Sequence, residues 1–313
     1  MGCASADIVT PDATVSTVPS RIVGSYDVVG QIDLKTLPPP AEDVLTELRA
    51  ATNDPDDPAR YLVDRMISAM PDGLWKGLAS GLASYVAPLL ELEIDKFAPR
   101  FAPGIKQLVA GLDAIAHHVT TRERITIAAD GSATRALVGL MLANTSVDFA
   151  AGGVADQLAL SHAQIDAEGT LVIASHQMAL PYGEMLRLGL DRAVIPPIDL
   201  DAGNLADALR DLVDCKTLGA EFADKASIGS AGVYETACNV AMVALADQVY
   251  DHLAAIDANQ FAFDVNGTAT GIDQNGDGLM DRIESGVWAG STSYANVRGP
   301  IGLATFSGER ATL

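Results

Sequence analysis

The spacing of apolar residues switches between a two-residue and a helical period several times along the chain, and this switching limits the possible folds more than any other feature. Ile22 to Leu34 alternates with a partial period of two and reads as a strand, stopped by Leu37-Pro38-Pro39-Pro40. Four helical segments follow. They cover Ala41 to Thr52 with Leu45 and Leu48 on one face, Asp57 to Met70 with Leu62, Met66 and Met70, Pro71 to about Phe97, and Ala102 to His118. After His118 the period shortens again: Arg124 to Ala129 and Ala133 to Leu142 flank Asp130-Gly131, a strong hairpin signal. Gln157 to Ile165 and Thr170 to Met178 form a second strand pair around Asp166 to Gly169. Pro181 to Leu190, Leu205 to Val213 and Tyr234 to Ile256 return to helix, and the chain from Gln260 onward is Gly-rich and strand-like.

This order predicts an α+β fold. A helical N-terminal half and further helices pack on an antiparallel sheet that collects strands from the beginning, middle and end of the chain. A flexible tether over residues 1–20 precedes a single domain, 21–313, with a sub-boundary near 257 where a β-rich C-terminal segment begins. Aromatic residues are only 5% of the 313, so small residues at helix contacts must build much of the core. The most apolar stretch, Leu74 to Ile94, carries Lys76, Glu91 and Glu93 and is unsuited to crossing a membrane.

The formal charge of −21 argues against nucleic acid and anionic lipid surfaces as partners, since neither is attracted to such a surface. Divalent cations, which screen and bridge carboxylates, are compatible with it.

Residues 273 to 284 read Asp-Gln-Asn-Gly-Asp-Gly-Leu-Met-Asp-Arg-Ile-Glu. Oxygen donors fall at positions one, three, five, nine and twelve, with Gly278 at the sixth, where a sharp bend excludes a Cβ. A calcium ion takes six to eight oxygens, and a chain curling around it turns alternate side chains inward. The segment resembles the EF-hand calcium loop at every ligand position, and the calcium loops of dockerin and thrombospondin type 3 repeats. The resemblance implies side-chain ligands from Asp273, Asn275, Asp277, Asp281 and Glu284 and a carbonyl ligand from Leu279. It covers these twelve residues alone. Gly267, Gly271 and Gly286 around the loop favour flanking strands or coil over an EF-hand helix pair, so a structural calcium ion is expected rather than a sensor.

The cysteines are Cys3, Cys215 and Cys238. Gly2-Cys3, followed by a polar stretch to about Ser20, resembles a bacterial lipoprotein just after its leader, which implies a diacylated Cys3 and a lipid-anchored protein of the periplasm or outer-membrane surface. Myristoylation of Gly2 is disfavoured because Ala6 replaces the expected Ser or Thr and no basic cluster adds a second membrane signal. Cys215 and Cys238 remain as a pair in helix-like sequence, read as a disulfide, with two buried thiols as the alternative.

Catalytic signatures are scarce. The chain has no Gly-x-Ser-x-Gly elbow, P-loop or dinucleotide fingerprint. His117 and His118 read as helix-end residues, and His162 with His176 as a candidate zinc pair to which no carboxylate or Cys at ligand spacing adds a ligand. Three readings stay open. The first is a non-catalytic, calcium-stabilised envelope lipoprotein with a structural or binding role. The second is a carrier of hydrophobic ligands, with a cavity between long helices and a curved sheet. The third is an enzyme whose site gathers acidic residues with His162, His176 or His252.

Overall fold

In the computed structural model the described residues are 20–51, 58–142 and 145–311. The strands are β1 (Gly24–Leu34), β2 (His118–Ile127), β3 (Ser132–Leu142), β4 (Thr145–Asp148), β5 (Gln157–Ile165), β6 (Thr170–Leu180), β7 (Phe261–Ile272), β8 (Arg282–Tyr294) and β9 (Val297–Arg310). All pair antiparallel, and the order β2-β1-β9-β8-β7-β6-β5-β3 closes on itself through a β2–β3 ladder. Eight strands therefore form a closed barrel, with β4 as a short ninth strand hairpinned onto β3.

This corrects the expected open sheet under a helical half. Period-two alternation states that one face of each strand is buried, and closure is a separate outcome set by strand tilt and stagger. β1 supplies the decisive link. Tyr26 stands opposite Ile125 of β2 on one side and Arg310 of β9 on the other. The N-terminal helices are accordingly an excursion from the barrel between two of its neighbouring strands.

The helices are α1 (Pro39–Ala50), α2 (Pro58–Ser68), α3 (Leu74–Glu91), α4 (Ile94–Phe97), α5 (Phe101–His117), α6 (Phe149–Gly152), α7 (Tyr182–Gly189), α8 (Leu205–Leu212), α9 (Cys215–Ala226) and α10 (Ala231–Ala258). Each leaves and re-enters at the same barrel end: α1–α5 join β1 to β2, α6 joins β4 to β5, and α7–α10 join β6 to β7. At the other end the hairpins β2–β3, β5–β6 and β7–β8 meet the two ends of the barrel chain. α10 is the axis of the helical layer. Its buried Tyr234, Ala237, Cys238, Ala241, Met242, Leu245, Ala246, Val249, Leu253 and Ile256 recur at helical spacing. Tyr182 ties helices to barrel: its hydroxyl donates to Ala116 O at 2.5 Å, and its ring stacks on Phe261 at 4.7 Å. Burial pushes its phenol well above the usual tyrosine range.

α9 is a helix of its own rather than part of the segment ending at Val213. Asp214 caps it, accepting from Thr217 N at 3.0 Å and Thr217 Oγ1 at 2.6 Å, and its own amide donates to Phe97 O at 2.7 Å. Among the described residues no helix is long and apolar enough to cross a membrane.

Candidate functional site

The β7–β8 connection carries the calcium-like sequence. Asp273 Oδ1 accepts from Gly276 N at 2.7 Å and Oδ2 from Gly278 N at 2.8 Å. Asn275 Oδ1 accepts from Asp277 N at 2.9 Å, and Asp277 Oδ1 from Leu279 N at 2.8 Å. Successive polar side chains thus fold onto the backbone two to five residues ahead, and the chain curls. Gly276 and Gly278, at φ 76° and 86°, sit where a Cβ is strained. Asp281 Oδ2 accepts from Gln274 N at 2.9 Å and closes the curl.

Glu284 stands apart from this curl. It lies in β8 opposite Thr270, with Oε1 3.1 Å from Arg282 Nη2. Among the described residues, no three His, Cys, Asp or Glu side chains are grouped to hold a metal ion. The donor chemistry, hard oxygens on an exposed carboxylate-rich curl, fits calcium at Asp273, Asn275 and Asp277; the ion pair to Arg282 opposes a bidentate role for Glu284. Leu279 is 38% exposed, and the loop is anchored by buried Met280 and Ile283.

Arg310 fastens the loop to the barrel end. Its Nε donates to Met280 O at 2.8 Å, Nη1 to Val23 O at 3.0 Å and Nη2 to Tyr26 Oη at 3.0 Å. The Arg310 amide donates to Asp281 O at 2.7 Å, and Met280 N to Arg21 O at 2.6 Å. Burial pushes the Tyr26 phenol up to about 12, against the opposing pull of Arg310.

The second polar centre lies in the barrel lumen and has no motif in the sequence. Arg135 on β3 is 1% exposed and Glu123 on β2 is 2% exposed. Arg135 Nε donates to Glu123 Oε2 at 2.6 Å and Nη2 to Oε1 at 2.8 Å, a two-pronged ion pair. Thr121 Oγ1 donates to Glu123 Oε1 at 2.7 Å, and Arg135 Nη1 reaches His176 Nε2 at 3.2 Å. The guanidinium lies 4.0 Å from the Trp288 ring centroid, and Trp288 stacks on Phe306 at 4.2 Å. Gly30 and Gly267 make the room. A Cβ on Gly30 would meet Thr121 Oγ1 at 2.6 Å, and one on Gly267 would meet the Trp288 ring at 2.5 Å. An eight-strand barrel is just wide enough for side chains to fill, and these fill it. The Trp288 Nε1–H is buried and, among the described residues, has no hydrogen-bond partner.

The remaining candidate residues are dispersed. His162 is exposed on the outside of β5, opposite Ser132, while His176 faces the lumen, so the two do not form a zinc pair. His252 lies on α10, and the three histidines do not converge on one cleft. His117 Nδ1 lies 3.1 Å from Asp113 O, and His118 Nδ1 2.8 Å from Asp33 Oδ1. Cys215, the first residue of α9, is bonded to Cys238 of α10 with a Cα–Cα distance of 5.5 Å, and both are buried. Cys3 and nearly all of the tether lie outside the described residues.

Together these features define a helix-capped, closed antiparallel barrel with a polar plug in its lumen and an acidic curl at its far end. No protein-family model matches the chain, and no curated protein or solved structure matches it either.

Proposed function

We propose that this is a non-catalytic, calcium-stabilised protein of the bacterial envelope, exported, anchored through Cys3, and serving a structural or binding role. The observation that carries the reading is the Asp273–Asp281 curl, in which three oxygen-bearing side chains turn onto a backbone bent at two left-handed glycines. Asp273, Asn275, Asp277, the Leu279 carbonyl and Asp281 would hold the ion, and Glu284 would join only by leaving Arg282. A bound calcium ion would neutralise carboxylates and tie the ends of β7 and β8 together. The Cys215–Cys238 bond supports an oxidising compartment.

Thermal melts in calcium and in chelator test the reading. Calcium at a hundred times its Kd should stabilise by about 2.7 kcal/mol, and Asp273→Ala should abolish the response. Identical melts under both conditions, with no calcium heat by calorimetry, would remove calcium from the account.

A second reading, a carrier of hydrophobic ligands, is favoured by one observation. A hollow of about 470 Å³ opens at the helical end of the barrel between Leu37–Pro39 and the β8–β9 hairpin, lined by Phe261, Tyr294, Val297 and Pro300. The lumen itself is filled. Native mass spectrometry of protein purified without added lipid separates the readings, because a releasable mass of several hundred daltons would favour the carrier.

A further inference from the structure

We propose that the seam between β5 and β6 is an acid-operated opening in the barrel wall, held shut at neutral pH by His176. The inference stands independently of the calcium reading.

The protonation state of His176 follows from its neighbours. Arg135 carries donors only, so His176 Nε2, 3.2 Å from Arg135 Nη1, must be a bare acceptor. The ring hydrogen therefore sits on Nδ1, which donates to Ala174 O at 2.9 Å. A neutral imidazole satisfies both contacts. An imidazolium would turn an N–H toward a guanidinium N–H and add a second positive charge beside the first.

Among the described residues around it, no anion is free to offset that charge. Glu123 from β2 spends Oε2 on Arg135 and Oε1 on Arg135 and Thr121. Asp264 from β7 also acts on His176, but is drawn outward to Arg298 at 3.3 Å. β8 presents the Trp288 ring, edge-on at 5.7 Å. β5 presents Ser161, whose hydroxyl donates at 2.8 Å to the same Ala174 carbonyl that His176 uses. Burial, then the Arg135 charge, hold the imidazole below the usual histidine range.

The wall beside His176 carries the shortest ladder of the barrel. The β5–β6 ladder runs only from Ala163–Ile165 to Leu171–Ile173, the shortest of the eight that close the ring. From Gln157 to His162, β5 is paired with β3 and has no ladder partner in β6. On the other side of β6 the register to β7 shifts between Ile173 and His176, and both Ala174 and Ser175 are exposed. His176 thus stands at a bulge flanked by an unladdered gap. Ala174 and Ser175 have no register partner in β7, and the β6–β7 ladder resumes at His176–Val265, so turning residues 174–176 outward costs only the end of that ladder, carries the charged ring to water and uncovers the Arg135–Trp288 stack.

The sign follows from linkage. The unfolded or opened histidine binds a proton near pH 6.5, whereas the closed one resists it. The closed form therefore loses stability as pH falls below about 6.5, until the closed-state imidazole itself would protonate.

The test uses the full chain carrying Trp75→Phe, so that Trp288 is the sole indole. Between about pH 7 and pH 5 its emission should shift to the red, reversibly. Hydrogen exchange, corrected for intrinsic pH dependence, should rise roughly tenfold in 163–165 and 171–176 while the β7–β8 and β8–β9 ladders stay protected. His176→Gln keeps an acceptor for Arg135 but cannot be protonated, and should lose both responses. Persistence of the acid step in His176→Gln, or simultaneous exchange of the whole barrel, overturns the proposal. If that variant does not fold, the imidazole signals of the unsubstituted chain decide. Protonation of His176 must coincide with seam exchange, and its titration with the seam still protected overturns the proposal.

Discussion

The Arg135 guanidinium is held between the Glu123 carboxylate and the Trp288 ring, 2.6 Å from Oε2 and 4.0 Å from the ring centroid. An ion so placed is buried among one carboxylate, one imidazole and one aromatic face. Removing one partner leaves the other charged and dry. Arg135→Met should therefore cost about 3–5 kcal/mol, and the double variant Glu123→Leu with Arg135→Met less than the sum of the two single changes. Urea unfolding of the four proteins measures this, and additive losses would show that the pair is not coupled.

Arg310 offers a different kind of test, because it bonds carbonyls rather than a carboxylate. Arg310→Met removes its side-chain donations to Met280 O and Val23 O and should cost about 2–3 kcal/mol in the denaturant midpoint. The same change should speed hydrogen exchange through residues 273–281. Unchanged exchange there would mean that Met280 and Ile283 anchor the loop alone.

The disulfide predicts both a stability and a count. The chain has three cysteines, so unacylated protein denatured without reductant should expose one thiol and release two more on reduction. Reduction, or Cys215→Ser with Cys238→Ser, should cost about 3 kcal/mol, as expected for a cross-link closing a loop of this length. Three thiols before reduction would refute the bond.

Alkali should weaken the fold through Tyr26. Its phenol is pushed up to about 12 when folded, against about 10 when unfolded. The unfolded chain loses that proton first, so Tyr26 subtracts stability as pH rises from about 10 to 12. Tyr26→Phe should flatten this part of the stability–pH curve, while tyrosinate absorbance in the parent chain lags behind that of a model peptide. A curve unchanged by Tyr26→Phe would assign the slope to the other buried tyrosines.

Several elements were legible before the structure because their causes are local. Asp130-Gly131 turns β2 into β3, with Gly131 at φ 84°. Helical spacing marks the core stripe of α10, and the cap at Asp214-Thr217 was readable in principle as the start of a separate helix. The curl at Asp273 follows from side chains bonding amides a few residues ahead. Arg135 is the opposite case. It shares the strand face of Ala133 and Leu137, yet a lone arginine there carries no motif, and only Glu123 from the neighbouring strand makes its inward position tenable.

Local bonding and period, then, specify β1, β2, β3, β5 and β6, most of the helices and the acidic turn from the residues alone. Barrel closure, the Glu123–Arg135–His176–Trp288 plug and the thin β5–β6 seam came only from the folded chain. They depend on which strand edges meet and in what register, and that is decided by the packing of side chains distant in sequence. Tyr26 shows the difference: its own neighbours make a strand, but only the simultaneous arrival of β2 and β9 at its two edges makes that strand part of a closed barrel.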